Sequence, residues 1–562
     1  MDWKRLIGPP LVIGLLVAGC AAPRPSGPGA VSDTQPSPGA VKRISLGSVR
    51  EQETLPTAPG QSRIIQPVVN SGLTVRDGAG GRRPILAETV PSLENGLWKT
   101  LPDGRMETTW KLRGGAQWHD GVPFGSGDLL FSIEVGRDRD VAAFNSVAYP
   151  WIDEVTAPDA RTLVITWRQP YIDADALFDL NPVGPLPRHR LETAYRDEKA
   201  TFLELSYWTE DYIGTGPFRI REWMPGVGVR LEANAAYVLG RPKIDEIEIK
   251  YIADTNAMMA GFLAGTVDAT GQLGSIDLGL QLREQWREGT VVFNFGSDQW
   301  LAMYPQLIDS RPAVVGDVRF RRALLHGIDR QEYVDTLISG MSPVPHTLLS
   351  PNQPQYREIE AGIPKYEYDP RRAAQLIEEI GYRKDPAGAY RDGAGARLEL
   401  EIHNFSPDPK HATTVASYWE QLGLAATPVQ ITTQRAQDLE YVATFPAFLV
   451  RNRPSDVGSL RFLHSSQTPL PSNNYRIASP NHSRYMNPEL DTLIDAYFTT
   501  VPMTERIRVL GQITRHVAEQ VTVMGLFYNP IPGAFSSRLV NAGAHWPHPL
   551  VTWNIHEWDL RS

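Results

Sequence analysis

The sequence has only one cysteine in 562 residues, so no internal disulfide can hold it together. It lacks the HExxH, GxSxG and GxxxxGKS/T motifs that mark zinc proteases, α/β-hydrolase nucleophiles and phosphate-binding loops. It has no long Lys/Arg run, and its formal net charge is −9, which gives no support to nucleic-acid binding. Hydrolysis at a familiar site and a nucleic-acid partner are both disfavoured, and stability must come from core packing.

The single cysteine, Cys20, follows a short sequence of charged, apolar and small residues. Basic residues precede an apolar run over residues 11–17, and this order is typical of a secretion signal. Residues 17–20, Val-Ala-Gly-Cys, resemble a lipobox, in which the thiol receives a lipid and the preceding peptide is removed. We therefore expect a signal peptide over residues 1–19 and a lipid anchor at Cys20 on the extracytoplasmic face of a membrane. The alternative is a retained anchor, but the apolar run is far shorter than the ~20 residues that span a membrane.

Residues 20–42 are rich in Pro, Gly, Ser and Ala and have no regular apolar period. Such a segment has little to bury, which predicts a solvated tether with a reach of roughly 65 Å when fully extended. The rest of the chain, about five hundred residues, exceeds what one hydrophobic core usually supports, so we expect at least two lobes. No stretch of it has the uninterrupted apolar length of a membrane span.

Strand and helix patterns alternate along this body. Residues 247–251 and 398–402 alternate apolar and polar side chains with period two, as half-covered strands do. Helix starts are marked by Asp329, by Asp369-Pro370 and by Asn487-Pro488, each followed by apolar residues at helical spacing. The predicted class is mixed α/β.

Histidines near the C-terminus raise the question of a metal site. His545, His548 and His556 lie close in sequence, but Pro547 prevents a regular helix and no cysteine or acidic cluster completes a ligand set. Exposed or aromatic-packed histidines are the favoured interpretation. We expect neither a resident metal nor a cofactor.

The sequence does contain a long series of motifs in order. The first are residues 84–88, 109–124 and 127–132. The series continues through residues 187–189, 214–218, 234–242, 264–268, 317–330, 368–370, 381–382 and 487–491. Taken together, it resembles the extracytoplasmic solute-binding proteins of family 5, which are the dipeptide-, oligopeptide- and nickel-binding receptors of ATP-driven importers. The resemblance covers nearly everything after the tether.

The resemblance implies a two-lobed α/β clamshell, the periplasmic-binding-protein fold of type II, cluster C, with an extra subdomain. The implied division has lobe I in residues 43–85, 208–298 and 530–562, the extra subdomain of lobe I in 86–207, and lobe II in 299–529. The ligand is expected between the lobes. It must contact both of them, because only a ligand with higher affinity for the closed state shifts the equilibrium toward closure.

Ligand identity is expected to depend on the region between residues 445 and 475. Many peptide-binding members have a Trp followed shortly by an Asp, whose carboxylate pairs with the α-amino group of the peptide. Here residues 448–456 read Phe-Leu-Val-Arg-Asn-Arg-Pro-Ser-Asp, without the tryptophan. Asp456 is the candidate partner of a ligand ammonium, and Arg451 or Arg453 is a candidate bidentate partner of a carboxylate. Surface charge is the alternative for each arginine, which leaves peptide recognition open.

Four further side chains are candidates for ligand contact. Trp300 and Tyr304 lie at the expected crossing into lobe II, where aromatic rings suit stacking on a ligand, although core packing is the alternative. Asn474 and Tyr475 form a polar pair suited to peptide-like amides, and an ordinary loop is their alternative.

The sequence thus predicts a monomeric, non-enzymatic substrate-binding lipoprotein of an ABC importer. It would capture a peptide or peptide-like solute and deliver it to permease subunits that work with ATPase subunits. The alternatives are a periplasmic enzyme or chaperone-like protein on the same fold, or a receptor for an opine, a sugar or a metal chelate.

Overall fold

The computed structural model describes residues 41–55, 64–77, 80–146, 148–180, 184–294, 299–543 and 551–561. The predicted signal peptide, Cys20, the tether up to residue 40, His545 and His548 lie outside the described residues. Within those ranges, no helix combines the length and apolar character needed to cross a bilayer. Residues Lys42–Ser562 cluster as one compact unit.

The large sheet has seven strands drawn from widely separated parts of the chain. In spatial order they are Gly289–Asn294, Ile531–Ser536, Ala269–Thr270, Arg43–Ser48, Glu246–Tyr251, Gly228–Ala233 and Phe218–Met224. The predicted strand near residue 247 is confirmed, since alternation buries Ile247 and Ile249 while their neighbours are partly exposed. Helices Thr255–Leu263 and Ile276–Gln285 belong to the connections between its strands.

The five-stranded sheet has the order Ala425–Gln430, Glu399–Asn404, Phe448–Arg453, Trp300–Pro305 and Met524–Tyr528. The strand Trp300–Pro305 is buried along its whole length, so both faces of the sheet are covered at this point. Period-two alternation sends Leu301 and Met303 into one apolar cluster and Trp300 and Tyr304 into the other. This division fixes which side chains share a face near the candidate site.

The four-stranded sheet is antiparallel, with the order Trp98–Thr100, Met106–Lys111, Thr162–Trp167 and Ile152–Asp159. Three two-stranded pairs complete the described sheets: Thr74–Arg76 with Arg82–Pro84, Arg383–Lys384 with Tyr390–Arg391, and Leu539–Val540 with Asp559–Leu560. The first pair and the loop after Thr162–Trp167 contribute to the cleft described below.

The α-helices begin where capping residues predict. Helix Pro370–Glu379 is capped by the carboxylate of Asp369, and helix Pro488–Thr499 by the side chain of Asn487. Helix Arg330–Leu337 is capped by Asp329. The other described α-helices are Gln66–Val69, Ser126–Arg137, Arg188–Asp197, Val318–His326, Tyr356–Ile359, Lys410–Leu422, Leu439–Ala443 and Met503–Gln520. The predicted mixed α/β class and these three helix starts are confirmed.

Replacing Asp369 with Ala tests how far such caps contribute to stability. Asp369 Oδ1 accepts a hydrogen bond from the Arg372 backbone N–H at 2.9 Å, which the alanine variant loses. We expect the free energy of unfolding to fall by about 0.5–2 kcal/mol in denaturant titrations. Asp369→Asn keeps an acceptor, so its free energy of unfolding should fall much less. An unchanged denaturation midpoint for Asp369→Ala would show that this cap does not contribute to stability.

Candidate functional site

A cleft with a cavity volume of about 270 Å³ lies between two separate parts of the chain. One wall comes from residues between Arg76 and Leu186, and the other from Asp456, Val457, Gly458 and Phe498. Small-molecule sites are concave spaces of about 300–1,000 Å³ that commonly lie where separate parts of a fold meet. The cleft is close to the lower end of that range and is the main candidate for a ligand site.

Asp456 is the acidic group on the second wall. It follows the strand Phe448–Arg453 and caps the 3₁₀ helix Val457–Leu463, and its Oδ1 accepts a hydrogen bond from the Ser459 backbone N–H at 2.9 Å. Burial raises the pKa of this carboxyl, against the lowering effect of its backbone hydrogen bonds. No arginine, lysine or histidine of the described ranges forms an ion pair with it.

Two aspartates, Asp173 and Asp179, line the opposite wall, and Arg82 on that wall pairs with Asp179 and with Asp175, which does not line the cleft. Arg82 lies 3.3 Å from Asp175 and 3.5 Å from Asp179. Asp173 keeps half of its side chain exposed. The cleft therefore has carboxylates on both walls. Asp456 is partly buried and has no ion-pair partner among the described residues, although the charge of Arg76 in the same cleft lowers its pKa against the effect of burial.

Aromatic rings supply much of the remaining surface. The cleft is lined by Phe144, Tyr149, Tyr171, Phe178 and Phe498. Rings of this kind bind the apolar parts of a ligand and can stack on planar amides. A few polar groups among apolar rings is the composition expected of a site for an amphipathic small solute.

Phe178 is in a strained backbone conformation at this wall. Its φ is 63°, in the left-handed region that favours glycine, and its carbonyl accepts a hydrogen bond from the Leu73 N–H at 3.0 Å. Strain of this kind costs about 1–3 kcal/mol and is concentrated at ligand sites. The loop that carries Phe178 is thus held in a shape that its own sequence does not favour.

The two walls also touch each other directly. The guanidinium of Arg461 lies 3.9 Å from Asp173 and stacks 3.5 Å from the ring centroid of Phe498. Ile172 is 7% exposed and packs in the same apolar cluster as Tyr497 and Leu490. Contacts between the walls therefore lie next to the space in which a ligand would bind.

Three of the predicted ligand residues lie elsewhere, around a smaller chamber of about 30 Å³. Trp300, Tyr304 and Arg453 line it, and the register pairs Trp300 with Arg453 on adjacent strands. Arg451 lies on the same face of the five-stranded sheet, with its guanidinium 3.9 Å from the ring centroid of Phe405. The chamber and the cleft are lined by different residues.

Asn474 and Tyr475 are placed in neither cavity. Asn474 is exposed in a left-handed conformation, with φ at 50°, and the hydroxyl of Tyr475 donates to Glu440 at 3.2 Å. The structure thus brings Asp456 alone of the predicted ligand residues into the cleft. Ligand contact by the other candidates stays a prediction.

The residues of the opposite wall were missed by the sequence reasoning. Asp173 and Asp179 of the cleft lining lie near Tyr171 and Phe178 in a loop that follows the strand Thr162–Trp167. That acidic and aromatic pattern was the available signal. Its approach to Asp456, nearly three hundred positions later, could not be read from local spacing.

The described residues contain no group of three or more His, Cys, Asp or Glu side chains that could hold a metal ion. His556 packs against Tyr237 with ring centroids 5.6 Å apart, as expected for an aromatic-packed histidine. Burial lowers the pKa of its imidazole.

Comparison with known sequences gives a consistent family match. The family model for bacterial extracellular solute-binding proteins, family 5, middle region, matches residues 88–472. The oligopeptide-binding protein AppA of Bacillus subtilis is 24% identical over 570 residues, covering 98% of this chain and 97% of AppA. A Brucella ovis relative, named as an ABC transporter peptide-binding protein, is 28% identical over 287 residues. That match covers 50% of each chain, so the chain spans about half the length of this relative.

Solved structures show the same fold. Bacillus subtilis AppA in complex with a nonapeptide has a TM-score of 0.64 at 20% identity, covering 93% of this chain and 100% of AppA. Campylobacter jejuni NikZ in complex with Ni(L-His) has a TM-score of 0.66 at 22% identity, with coverage of 93% and 100%. The predicted two-lobed α/β fold is thereby confirmed.

Proposed function

Because the chain belongs to family 5 of the bacterial extracellular solute-binding proteins, we propose that it is the substrate-binding protein of an ABC importer. Its relatives in Bacillus subtilis and Brucella are named for oligopeptide and peptide binding. The proposed ligand is accordingly a peptide or peptide-like solute, passed on to permease and ATPase subunits. The proposed location is the extracytoplasmic face of the cell membrane, with a lipid anchor at Cys20.

The carboxylate of Asp456, which has no ion-pair partner among the described residues, is the observation that carries this proposal. It lies partly buried in the cleft, and burial raises its pKa, outweighing the lowering by its backbone hydrogen bonds and by the charge of Arg76 in the same cleft. A ligand ammonium supplies a partner at ion-pair distance and forms a charge-assisted hydrogen bond. The aromatic lining accepts the apolar part of the same ligand. This arrangement suits a free α-amino group better than it suits an anionic solute.

The proposed mechanism is closure around the ligand. In the proposed division, Asp456 and Arg461 belong to lobe II (299–529), whereas Asp173 belongs to the extra subdomain (86–207) of lobe I (43–85, 208–298 and 530–562). A ligand held by Asp456 adds contacts to a boundary where Arg461 already faces Asp173. Its binding energy then favours the closed form, because the open form offers only one wall. The permease would recognise the closed form, and the receptor itself would need to catalyse no reaction.

Ligand binding should therefore compact and stabilise the protein. We expect the radius of gyration from small-angle scattering to fall at saturating ligand. The melting temperature should rise by mass action, because ligand at a hundred times its dissociation constant adds about 2.7 kcal/mol to the free energy of unfolding. The ligand is first identified by mass spectrometry of whatever co-purifies. Scattering curves that superimpose with and without ligand would contradict the clamshell mechanism.

A metal chelate is the second candidate ligand, because the structurally similar NikZ was solved with Ni(L-His). The two candidates differ in what Asp456 would meet. A free ammonium gains from the carboxylate, whereas a chelate whose carboxylates face Asp456 is repelled. Elemental analysis of the purified protein separates them, since a chelate brings its metal in near-stoichiometric amount.

A further inference from the structure

The small chamber on one face of the five-stranded sheet has an unusual charge balance. Trp300 and Arg453 face each other across adjacent strands, and Arg451 lies two residues before Arg453 on the same face. No carboxylate of the described residues lies within ion-pair distance of either guanidinium. Burial, together with the neighbouring charge of Arg453, lowers the pKa of Arg451 to about 10. Both arginines are nevertheless charged at neutral pH.

Polar atoms without a partner belong to the residues that line this chamber. Arg453 Nη2, Trp300 Nε1, His482 Nε2 and Thr522 Oγ1 are all buried, and none has a hydrogen-bond partner among the described residues. The arginine and tryptophan nitrogens can only donate. Buried donors of this kind are normally satisfied, yet neither of these two has an acceptor within hydrogen-bond distance among the described residues, His482 Nε2 and Thr522 Oγ1 included.

His482 does not supply a counter-charge to the arginines. It is 4% exposed, and burial, with Arg451 and Arg453 nearby, lowers its pKa well below the ordinary value. The imidazole is therefore neutral at physiological pH and adds no counter-charge. Its ring packs against Tyr304 with centroids 5.3 Å apart, which fixes its place in the chamber wall.

Size limits what can enter. One water requires about 10–15 Å³ of cavity, and the chamber of about 30 Å³ has room for about two water-sized particles. A peptide does not fit, whereas a monatomic anion does. Water would satisfy the donors but bring no counter-charge to the partly buried guanidinium of Arg453, and burying charge without a counter-charge is costly.

We propose that this chamber is a binding site for a small monovalent anion of the halide class, held by Arg453 and Trp300 and compensated electrostatically by Arg451. The site lies in residues assigned to lobe II and is separate from the cleft that contains Asp456. Its expected role is to hold the strand end at Arg453 and the loop around His482 together, independently of the transported solute.

The direct test uses bromide as the probe, on the full-length protein. Crystals grown with bromide in place of chloride should show an anomalous peak within hydrogen-bond distance of Arg453 Nη2. The chamber filled by water alone in those crystals would overturn the proposal. This measurement requires no variant, so a folding defect cannot obscure it.

The second arm measures stability in solution. Titrating bromide against gluconate at constant ionic strength should raise the melting temperature saturably by about 2–4 °C. Arg453→Gln should abolish that rise. Arg435→Gln is the matched control, because Arg435 is exposed and stacks on Tyr441, 4.7 Å from its ring centroid, away from the chamber. It should keep the full rise.

The predicted pairing of Arg453 with a ligand carboxylate gives a different result. In that case Arg453→Gln would weaken binding of the co-purified solute by more than about thirty-fold, while bromide would leave the melting temperature of the wild type unchanged. Such an outcome would overturn the anion site and leave the proposed transport function standing. Unchanged solute binding in Asp456 variants, together with an intact bromide response of the wild type, would do the reverse.

Discussion

Replacing Asp456 with alanine should weaken binding of the cognate solute by about thirty-fold to several thousand-fold. The carboxylate is partly buried in the cleft without an ion-pair partner in the described structure, so a ligand ammonium that loses it is left buried and unpaired. Truncating one member of a buried charge pair typically costs ~2–5 kcal/mol, which corresponds to that range of dissociation constants. Calorimetry with the co-purified solute measures the loss.

Two variants separate ligand binding from helix capping, since Asp456 also accepts the Ser459 N–H. Asp456→Ser keeps a capping oxygen but removes the charge, and we expect nearly the full loss of affinity with little loss of stability. Asp438→Ala removes a similar cap from the helix Leu439–Ala443 outside the cleft, and its affinity should match the wild type. An Asp456→Ala affinity within about fivefold of the wild type would place the residue at a solvent-screened rim, where charge pairs contribute under ~1 kcal/mol.

Replacing Cys20 with serine should move the protein from the membrane fraction to the soluble fraction. Cys20 is the only thiol in the sequence, so the variant removes any lipid attached through a cysteine. The body of the protein should fold as before, because Cys20 lies in the predicted tether, ahead of every described strand and helix. Fractionation after high-salt washing, with intact mass of the wild type, measures the change.

A matched variant keeps this test from depending on expression alone. Ser26→Ala lies in the same tether and leaves the thiol in place, so it should stay membrane-bound. If Cys20→Ser also stays in the membrane fraction, residues 11–17 act as part of a retained anchor, and the lipobox interpretation is wrong.

Several parts of the fold could be read from local patterns. Asp329, Asp369 and Asn487 cap helices as their positions predict, because capping depends on residues only three positions apart. Alternation at residues 247–251 predicts the buried Ile247 and Ile249 for the same reason. These features are encoded within a few residues of the chain.

The candidate site depends on contacts that local patterns do not encode. Trp300 and Arg453 share a chamber because two strands some 150 residues apart are paired in one register, and no spacing in the sequence reveals that register. Asp173 and Asp456 line one cleft for a similar reason. Asp456 was found because it matches a motif position of the family, whereas Asp173 had no such guide.

The proposed function requires that the cleft hold one peptide-like solute through Asp456. Native mass spectrometry of the full-length protein, after incubation with a mixed library of short peptides with free and acetylated N-termini, tests it most directly. We expect one bound peptide per chain, selected from the free-amine pool, and no bound peptide for Asp456→Ser under the same conditions. Equal capture of acetylated peptides, or retention of the bound peptide by Asp456→Ser, would contradict it.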